Sequence, residues 1–390
     1  MKQPLAELLP ADLILEENAR WQKVDTLVSQ IETADERLRT YDSQTGQVQP
    51  LQGVQTMETD EFRIRLVPQA DLAKELAEKG ESAKWGLYIR APQVYFDLLQ
   101  QAGDKFVPLS EVAEVRRGYT TGINDFFYLE PLGSGEKPGT LRVKNSRGWV
   151  GEIEEACLRP VIKSPKEAKS MVVDPASLKY RLFLPPIDPK ADDLEVELRM
   201  AYPLAYQYVR WGAQQRTSQG QPWQNVPSVR GRKAWWLIRE PTIPDGLWPK
   251  SFNDKFAIYR NPDQVLSSDR FYELIVQNDS NISLLFPLLN SSLLSLMLEI
   301  NSRVNLGEGA LDNMTYEAGL NTIILPEIIT SGLPILEREI LPIPEELKQS
   351  DRQQIEEALC YSLGLTKVEL DSLQEELIKL SANRLERAGS

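Results

Sequence analysis

The chain has 390 residues, a net charge of -13, 42% hydrophobic residues and 26% charged residues. This composition is typical of a protein with a packed core, and the chain is long enough for two or three domains. The absence of histidine excludes Ser-His-Asp and Cys-His triads and histidine zinc sites. Because Cys157 and Cys360 are about two hundred positions apart, neither a disulfide framework nor a thiolate metal site is expected. The chain also has no run of about eighteen apolar residues and no signal-peptide pattern, so we expect a cytoplasmic protein with no membrane partner.

The first 104 residues predict a mixed α and β extension. A helix is predicted over 11–40, and the alternation of Phe62, Ile64 and Leu66 predicts a strand. The stretch "DLAKELAEK" favours a second helix. "KWGLYIRAPQVYFDLLQQAG" then indicates a strand-like piece, a proline break and a short helix ending at Gly103.

From residue 106 to about 340 the chain reads as short β segments between Pro/Gly loops. The β-rich pieces are "FFYLEP", "GTLRV", "KAWWLI" and "KFAIYR". "NISLLFPLLNSSLLSLMLEINSR" predicts a helix pair or one helix with a break near Pro287. This mixture favours an α+β fold over alternating βα units.

The last segment predicts two helices. Gly364 has the place of a helix C-cap, and Thr366 with Glu369 three residues on forms a capping-box pattern. We therefore predict three regions: an N-terminal extension at 1–104, a β-rich domain at 105–342 and a C-terminal helical segment at 343–390.

Positive charge concentrates in the middle of this acidic chain. Residues 203–260 contain nine Lys or Arg against three Asp or Glu, with five tryptophans interspersed. A polyanion would be attracted to this stretch rather than to the whole surface. The alternative, a solvated basic face above buried tryptophans, stays open at this stage.

The stretch "VRRGYTTGINDFF" at 115–127 combines cations, glycines, hydroxyls, an amide and aromatic rings. Its G-x-x-x-G spacing matches neither nucleotide-binding glycine motif. The glycines are better explained by a sharp turn or by close approach to another chain. Thr120, Thr121 and Asn124 would then offer donors and acceptors at the loop tip.

Arg230, Arg232 and Lys233 come directly before Trp235 and Trp236 in "PSVRGRKAWWLIREP". If this piece is a strand, one tryptophan enters the core and the other faces out. The three cations are then either the basic flank of a core strand or contacts for phosphates.

Catalytic motifs are missing from the sequence. It has no Asn-Pro-Pro-Tyr or Asp-Pro-Pro-Tyr, and "FLPPID" at 183–188 lacks the amide and the aromatic residue that would grip a flipped base. No Asp…Glu-x-Lys nuclease pattern stands out. We predict no catalytic residue, no metal site and no cofactor site.

Four ordered blocks over about 85–388 resemble one family. "FVPLSEVAEVRRGYTTGINDFFYLEP", "LRPVIKSPKEAK" with "RGRKAWWLIREP", "LLNSSLLSLMLEINSRVNLGEGALDNMTYEAGLNTIILPE" and "ALCYSLGLTKVELDSLQEELIKLSANRLERA" are similar to the target-recognition domain of adenine-specific DNA methyltransferases from type II and type IIG restriction-modification systems. The family's AdoMet-dependent catalytic domain, with its glycine-rich loop and Asn/Asp-Pro-Pro-Tyr/Phe motif, has no counterpart here. The resemblance thus implies recognition without methyl transfer, with the N-terminal extension as a possible remnant of the methyltransferase tail.

The resemblance implies double-stranded DNA and a methyltransferase or restriction catalytic subunit as partners, with AdoMet on that subunit. Such a lobe grips the duplex and reads base edges while a base is flipped elsewhere. The DNA-facing residues that it implies are Arg117, Tyr119, Thr121, Asn124, Lys163, Arg230, Arg232, Lys233, Arg303 and Asn305. Two alternatives remain: a fragment of a type IIG methyltransferase or nuclease enzyme, and a protein-binding or inhibitory relative that does not bind DNA.

Overall fold

The computed structural model describes residues 17–39, 44–45, 47, 49, 51, 53–59, 62–80, 85–239, 242–277, 282–304, 309–320, 322–329 and 332–389. The chain divides into two compact units. The first comprises Met1–Asp104 and Asp371–Glu376, and the second comprises Lys105–Leu370 and Leu377–Ser390.

The first unit is a small mixed α and β structure. Its elements are α1 Glu17–Leu38, β1 Gln55–Glu58, β2 Arg63–Leu66, α2 Gln69–Lys79, α3 Gly86–Arg90 and α4 Gln93–Ala102. β1 and β2 pair antiparallel, and α1 packs on this hairpin. The predicted strand and the helices around it are confirmed, and the helix predicted over 11–40 is confirmed from residue 17, since 11–16 lie outside the described residues.

The piece predicted as strand-like before the proline break is helical. Within α3, the amide of Ala91 donates to the carbonyl of Leu87 at 2.7 Å. The carbonyls of Tyr88 and Ile89 accept from Arg65 and Arg63 of β2. These carbonyls are satisfied by side chains rather than by a neighbouring strand, so local β propensity does not decide the conformation.

Apart from Asp371–Glu376 of the last helix, which belong to the first unit, the second unit contains the other elements. These are β3 Phe106–Pro108, β4 Ala113–Arg117, α5 Asn124–Phe127, β5 Tyr128–Ser134, β6 Thr140–Lys144, β7 Val150–Glu154, β8 Leu158–Ile162, β9 Tyr180–Phe183, α6 Leu194–Ala201, α7 Pro203–Gly212, β10 Gly246–Pro249, β11 Ser251–Phe252, β12 Tyr259–Arg260, β13 Leu266–Ser267, β14 Phe271–Val276, α8 Ile282–Leu289, α9 Ser292–Asn301, β15 Arg303–Val304, β16 Leu311–Asp312, α10 Thr315–Leu320, β17 Thr322–Ile324, α11 Ile343–Glu346, α12 Ser350–Leu363 and α13 Lys367–Gly389.

Two larger sheets organise the second unit. A six-stranded sheet has the order β13-β8-β9-β5-β6-β7, and a four-stranded sheet has the order β12-β10-β14-β4. The pairing is antiparallel except between β13 and β8. Strands are joined mostly by turns and loops rather than by crossover helices, which confirms the predicted α+β class.

Aromatic side chains fill the core beside the six-stranded sheet. Phe126 stacks on Tyr208 at a centroid distance of 4.6 Å. The buried hydroxyl of Tyr208 donates to the carbonyl of Phe126 at 2.6 Å and accepts from the amide of Asn145 at 3.2 Å. Because this buried hydroxyl has both partners, the core tolerates it without an unpaired polar group.

Two of the predicted β segments are wrong or shorter than expected. "KAWWLI" forms no strand, since 230–239 is a succession of turns and bends. "KFAIYR" contributes only the two residues of β12 to a sheet. Outside β12, the aromatic and aliphatic residues of both segments are buried or half-buried without strand pairing, so burial and not pairing explains their hydrophobic pattern.

The predicted helix pair is confirmed as α8 and α9. The chain bends by 55° between them at Asn290, whose side chain bonds both the amide and the carbonyl of Ile258 at 2.9 and 3.0 Å. Pro287 itself lies inside α8. Among the described helices none alone is long and apolar enough to span a membrane, although this bent pair together reaches such a length and hydropathy; most of its residues are buried.

The C-terminal helices have the predicted caps. Gly364 ends α12 with a φ of 74°, and Thr366 and Glu369 exchange the hydrogen bonds of a capping box at 2.7 and 3.3 Å before α13. Near the end of α13, Arg384 forms a buried ion pair with Glu299 of α9 at 2.8 Å.

Candidate nucleic-acid interface

The loop Gly118–Asn124, here called the glycine loop, is fixed at its first end by backbone contacts. The amide of Gly118 donates to the carbonyl of Phe271 at 3.0 Å, and the amide of Tyr119 donates to the carbonyl of Ser267 at 3.0 Å. A Cβ at position 118 would lie 2.2 Å from the carbonyl oxygen of Ser268. Only glycine permits this approach.

The second end of the glycine loop packs on the segment Ser228–Arg239, here called the basic loop. Gly122 has a φ of 81°, and a Cβ there would lie 2.7 Å from the hydroxyl of Ser228. That hydroxyl donates to the carbonyl of Gly122 at 3.3 Å. The two glycines therefore provide a turn, as the sequence indicated, and two close approaches to other segments of the same chain.

Thr121 and Tyr119 hold the glycine loop together from inside. Thr121 is only 1% exposed, and its hydroxyl donates to Oδ1 of Asn124 at 2.6 Å. The hydroxyl of Tyr119 donates to the carbonyl of Arg239. The Thr121 side chain is thus unavailable to a ligand, contrary to its predicted place on a DNA-facing surface.

Arg232 and Lys233 bond to protein carbonyls rather than pointing freely outward. The guanidinium of Arg232 donates to the carbonyl of Thr121 at 2.8 Å, and its centre lies 5.5 Å from the Phe127 ring centroid. Burial lowers the pKa of Arg232. The ammonium of Lys233 donates to the carbonyl of Ala191 at 2.6 Å. Arg232 therefore links the basic loop to the glycine loop, whereas Lys233 is exposed and hydrogen-bonded to the carbonyl of Ala191.

The tryptophans of the basic loop anchor it to the core. Trp236 is 1% exposed, and Trp235, half-buried, lies with its ring centroid 4.6 Å from that of Phe126. Their unequal burial was predicted from strand alternation, but the segment is a loop. The anchoring gives the outer side chains of the basic loop a rigid base.

The interlocked loops expose a mixture of hydroxyl, amide and guanidinium groups. The exposed side chains are Thr120, Asn124, Ser228, Arg230 and Arg239. Arg230 and Lys233 also line an open cavity of about 450 Å³, together with Asp193 and Trp236. Arg239 is also exposed, but it was not predicted from the sequence as a site residue. It directly follows "WWLI", a pattern typical of a strand, so its charge was taken as the flank of that strand.

The remaining predicted cations lie elsewhere on the second unit. Arg117 is 60% exposed and approaches Asp269 at 3.5 Å. The ammonium of Lys163 lies between two rings, 4.8 Å from the centroid of Tyr128 and 4.6 Å from that of Tyr180.

Arg303 is not part of the interlocked loops. It lies on β15 and pairs with Glu317 at 2.9 Å. Asn305 lies outside the described residues, so the structure does not place it.

The interlocked loops expose groups that can bind a ligand. Among the residues that the structure describes, no three His, Cys, Asp or Glu come close enough to hold a metal ion. Exposed arginines, hydroxyls and an amide on rigid loops are the groups that contact phosphates and base edges.

Comparison with known proteins shows similarity of fold only. No protein-family model matches the sequence, and no curated protein matches it significantly. The structure is similar to that of the type IIG restriction endonuclease BpuSI, with a TM-score of 0.52 and 12% identity, covering 84% of this chain and 36% of that chain. The structure was also compared with that of the type IIL restriction-modification enzyme MmeI in complex with DNA. That match has a TM-score of only 0.31 and 14% identity, and it covers 72% of this chain and 33% of that chain. The chain thus shares a fold with part of a restriction endonuclease and spans about a third of the length of either enzyme.

Proposed function

We propose that this chain is a sequence-specific DNA-recognition module of a restriction-modification system. It acts with a separate adenine methyltransferase or restriction subunit, which supplies AdoMet and the chemistry. The observation that carries the proposal is the pair of interlocked loops, which contact each other and leave the side chains of Arg230, Arg239, Thr120 and Asn124 exposed. The fold shared with a type IIG endonuclease supports it.

Each group on the loops suits a part of DNA recognition. Arginine can bind phosphate or bond the O6 and N7 atoms of guanine. An amide pairs with adenine, and hydroxyls bond either bases or phosphates. Asn124 can still donate through its amide nitrogen, because Thr121 contacts only its oxygen. Thr121 and Arg232 do not contact DNA in this proposal but stabilise the conformation of the two loops through their hydrogen bonds.

Fluorescence anisotropy with duplex DNA at two salt concentrations tests the proposal. We expect affinity to fall as salt rises, because bound cations displace counterions from DNA. The double variant R230Q/R239Q should bind more weakly, whereas R199Q/K348Q, which removes two exposed cations from α6 and from beyond α11, should bind like the unaltered chain. The assay is run with and without the catalytic subunit. Binding indifferent to salt, or equal losses in both variants, would count against the proposal.

A second candidate is the same module within a longer methyltransferase or nuclease. The observation that favours it is coverage, since the chain matches 36% of the endonuclease BpuSI. In that case the catalytic part belongs to the same polypeptide and the interlocked loops keep the same role. Mass spectrometry of the protein purified from its source distinguishes the two, because a single longer chain supports the second candidate.

A further inference from the structure

Three cations come together where three neighbouring strands end. Arg117 is the last residue of β4, Lys250 follows β10 and Arg270 precedes β14. β14 lies between β10 and β4 in the sheet. The amide of Lys250 donates to the carbonyl of Arg270 at 3.0 Å, and Arg117 is paired with Tyr272. Antiparallel pairing thus brings these cations to one end of the sheet from distant parts of the sequence.

The ammonium of Lys250 is held in place. It lies 5.2 Å from the ring centroid of Tyr272, whose hydroxyl donates to the carbonyl of Asn313. The amide of Asn313 in turn donates to the carbonyl of Lys250 at 3.2 Å. Burial, followed by the nearby charge of Arg117, lowers the pKa of Lys250. Two like charges are therefore kept close, an arrangement that a bound anion relieves.

The acidic groups nearby do not balance this cluster. Asp269 contacts Arg117 at 3.5 Å with both side chains well exposed, which makes a weak pair. Asp312 also acts on Lys250 through its charge. The Glu317 carboxylate, which also acts on Tyr272, is paired with Arg303 at 2.9 Å. Asp269 and Asp312 then face three cations, which leaves one excess positive charge. In addition, Asn313 is 3% exposed, and its amide nitrogen has no hydrogen-bond partner among the described residues.

We propose that Arg117, Lys250 and Arg270 form a binding site for one phosphodiester of the DNA backbone. The single excess charge matches the single charge of a phosphodiester. This inference rests on the proposed function and adds to it a division of labour: the strand-end site fixes the position of the duplex, while the interlocked loops read it. Lys250 belongs to the cation-rich stretch 203–260, but no motif singled it out, and Arg270 lies outside that stretch.

The test compares the salt dependence of DNA affinity between K250Q/R270Q and the control R199Q/K348Q, which has the same charge change. Loss of one phosphate contact should flatten the slope of log affinity against log salt by about one in K250Q/R270Q only. The affinity should fall by the same factor on two duplexes of unrelated sequence, since a backbone contact carries no base information. K250R/R270K, which keeps both charges, should retain the slope of the unaltered chain. Far-ultraviolet circular dichroism checks that each variant is folded, and R270Q alone, at an exposed position, serves if the double variant is not.

The outcomes separate the two proposals. If the unaltered chain binds DNA with a salt-dependent affinity but K250Q/R270Q has the slope of the control, the phosphodiester site is refuted and the proposed function stands. A loss that differs between the two duplexes refutes the backbone role in the same way. If the unaltered chain, with or without the catalytic subunit, binds no duplex, both proposals are refuted.

Discussion

Residues of one type, close in sequence, take different roles in the basic loop. Arg230 is exposed, whereas Arg232 is half-buried and bonds the carbonyl of Thr121. Both were predicted as DNA contacts because they share a charge and a motif. Whether a guanidinium meets solvent or protein depends on what packs over the loop, which here is the glycine loop. Sequence spacing alone does not contain that information.

The sequence predicted a sharp turn or close approach to another chain at Gly118, and the structure shows a close approach within the same chain. The structure adds the partner, the carbonyl of Ser268, which lies 150 positions away in the chain. Positions 118 and 122 are two of the points where the glycine loop contacts other segments.

We predict that G118A destabilises the protein by about 2 kcal/mol, because a methyl group there overpacks a backbone contact. Unfolding in urea measures the loss. G231A is the matched control, since a Cβ at Gly231 meets nothing within 4 Å, and it should leave the midpoint nearly unchanged. Equal midpoints for both variants would show that the Gly118 contact does not constrain the loop.

At the scale of elements, hydrophobic patterns identified helices better than strands. The capping signals at Gly364 and Thr366 and the amphipathic pattern of the C-terminal region are local, and both helices formed as expected. "KAWWLI" has residues typical of a strand but no partner strand. It forms a loop in which Trp236 is buried and Trp235 is half-buried. A strand needs a neighbour supplied by another part of the chain, so its prediction fails where tertiary contacts bury apolar residues in another way.

The pairing of β4 with β14 places a carboxyl group in an apolar setting. Glu273 lies opposite Arg116, is 5% exposed and accepts a hydrogen bond from the hydroxyl of Ser267 at 2.8 Å. Burial raises the pKa of Glu273 from 4.5 to about 7. The carbonyl of Ser267 also accepts a hydrogen bond from the backbone amide of Tyr119. Through Ser267, the carboxyl group of Glu273 therefore supports the first end of the glycine loop.

This raised pKa predicts a pH-dependent stability. The folded state holds the proton more tightly than the unfolded state, so the contribution of Glu273 is full below pH 4.5 and is lost as the pH rises to about 7. In E273Q the difference in unfolding free energy between pH 5 and pH 8 should shrink by roughly 2–3 kcal/mol relative to the unaltered chain.

Urea unfolding at the two pH values measures this difference, with E345Q, at an exposed glutamate of α11, as the control. An equal pH dependence in the unaltered chain and in E273Q would contradict the assignment.

At the scale of the whole molecule, net charge is a poor guide to the binding surface. The chain carries -13 overall, yet the basic loop exposes Arg230, Lys233 and Arg239. Association with DNA depends on the local potential of the contact face more than on the total charge. The uneven charge distribution was visible in the sequence, and the tertiary structure decides which of those cations reach the surface.

The whole chain is expected to bind DNA without binding AdoMet. The sequence carries neither the glycine-rich loop nor the Asn/Asp-Pro-Pro-Tyr/Phe motif of the methyltransferases that it resembles. Isothermal titration calorimetry of the purified chain with AdoMet should therefore show no saturable heat, while the same preparation shifts the anisotropy of duplex DNA. Tight, saturable AdoMet binding would instead support an enzyme with an unrecognised pocket.

The sequence by itself determined the α+β class, the helix caps, the structural use of two glycines and the concentration of cations in the middle of the chain. These features depend on local conformational preferences and on composition, which neighbouring residues carry. The tertiary structure alone decided that Thr121 and Arg232 face inward, that Arg239 joins the exposed surface, and that Arg117, Lys250 and Arg270 meet at one sheet end. Those outcomes depend on contacts between separate segments, such as that between Arg232 and Thr121, 111 residues apart, and periodicity and motif spacing do not encode them.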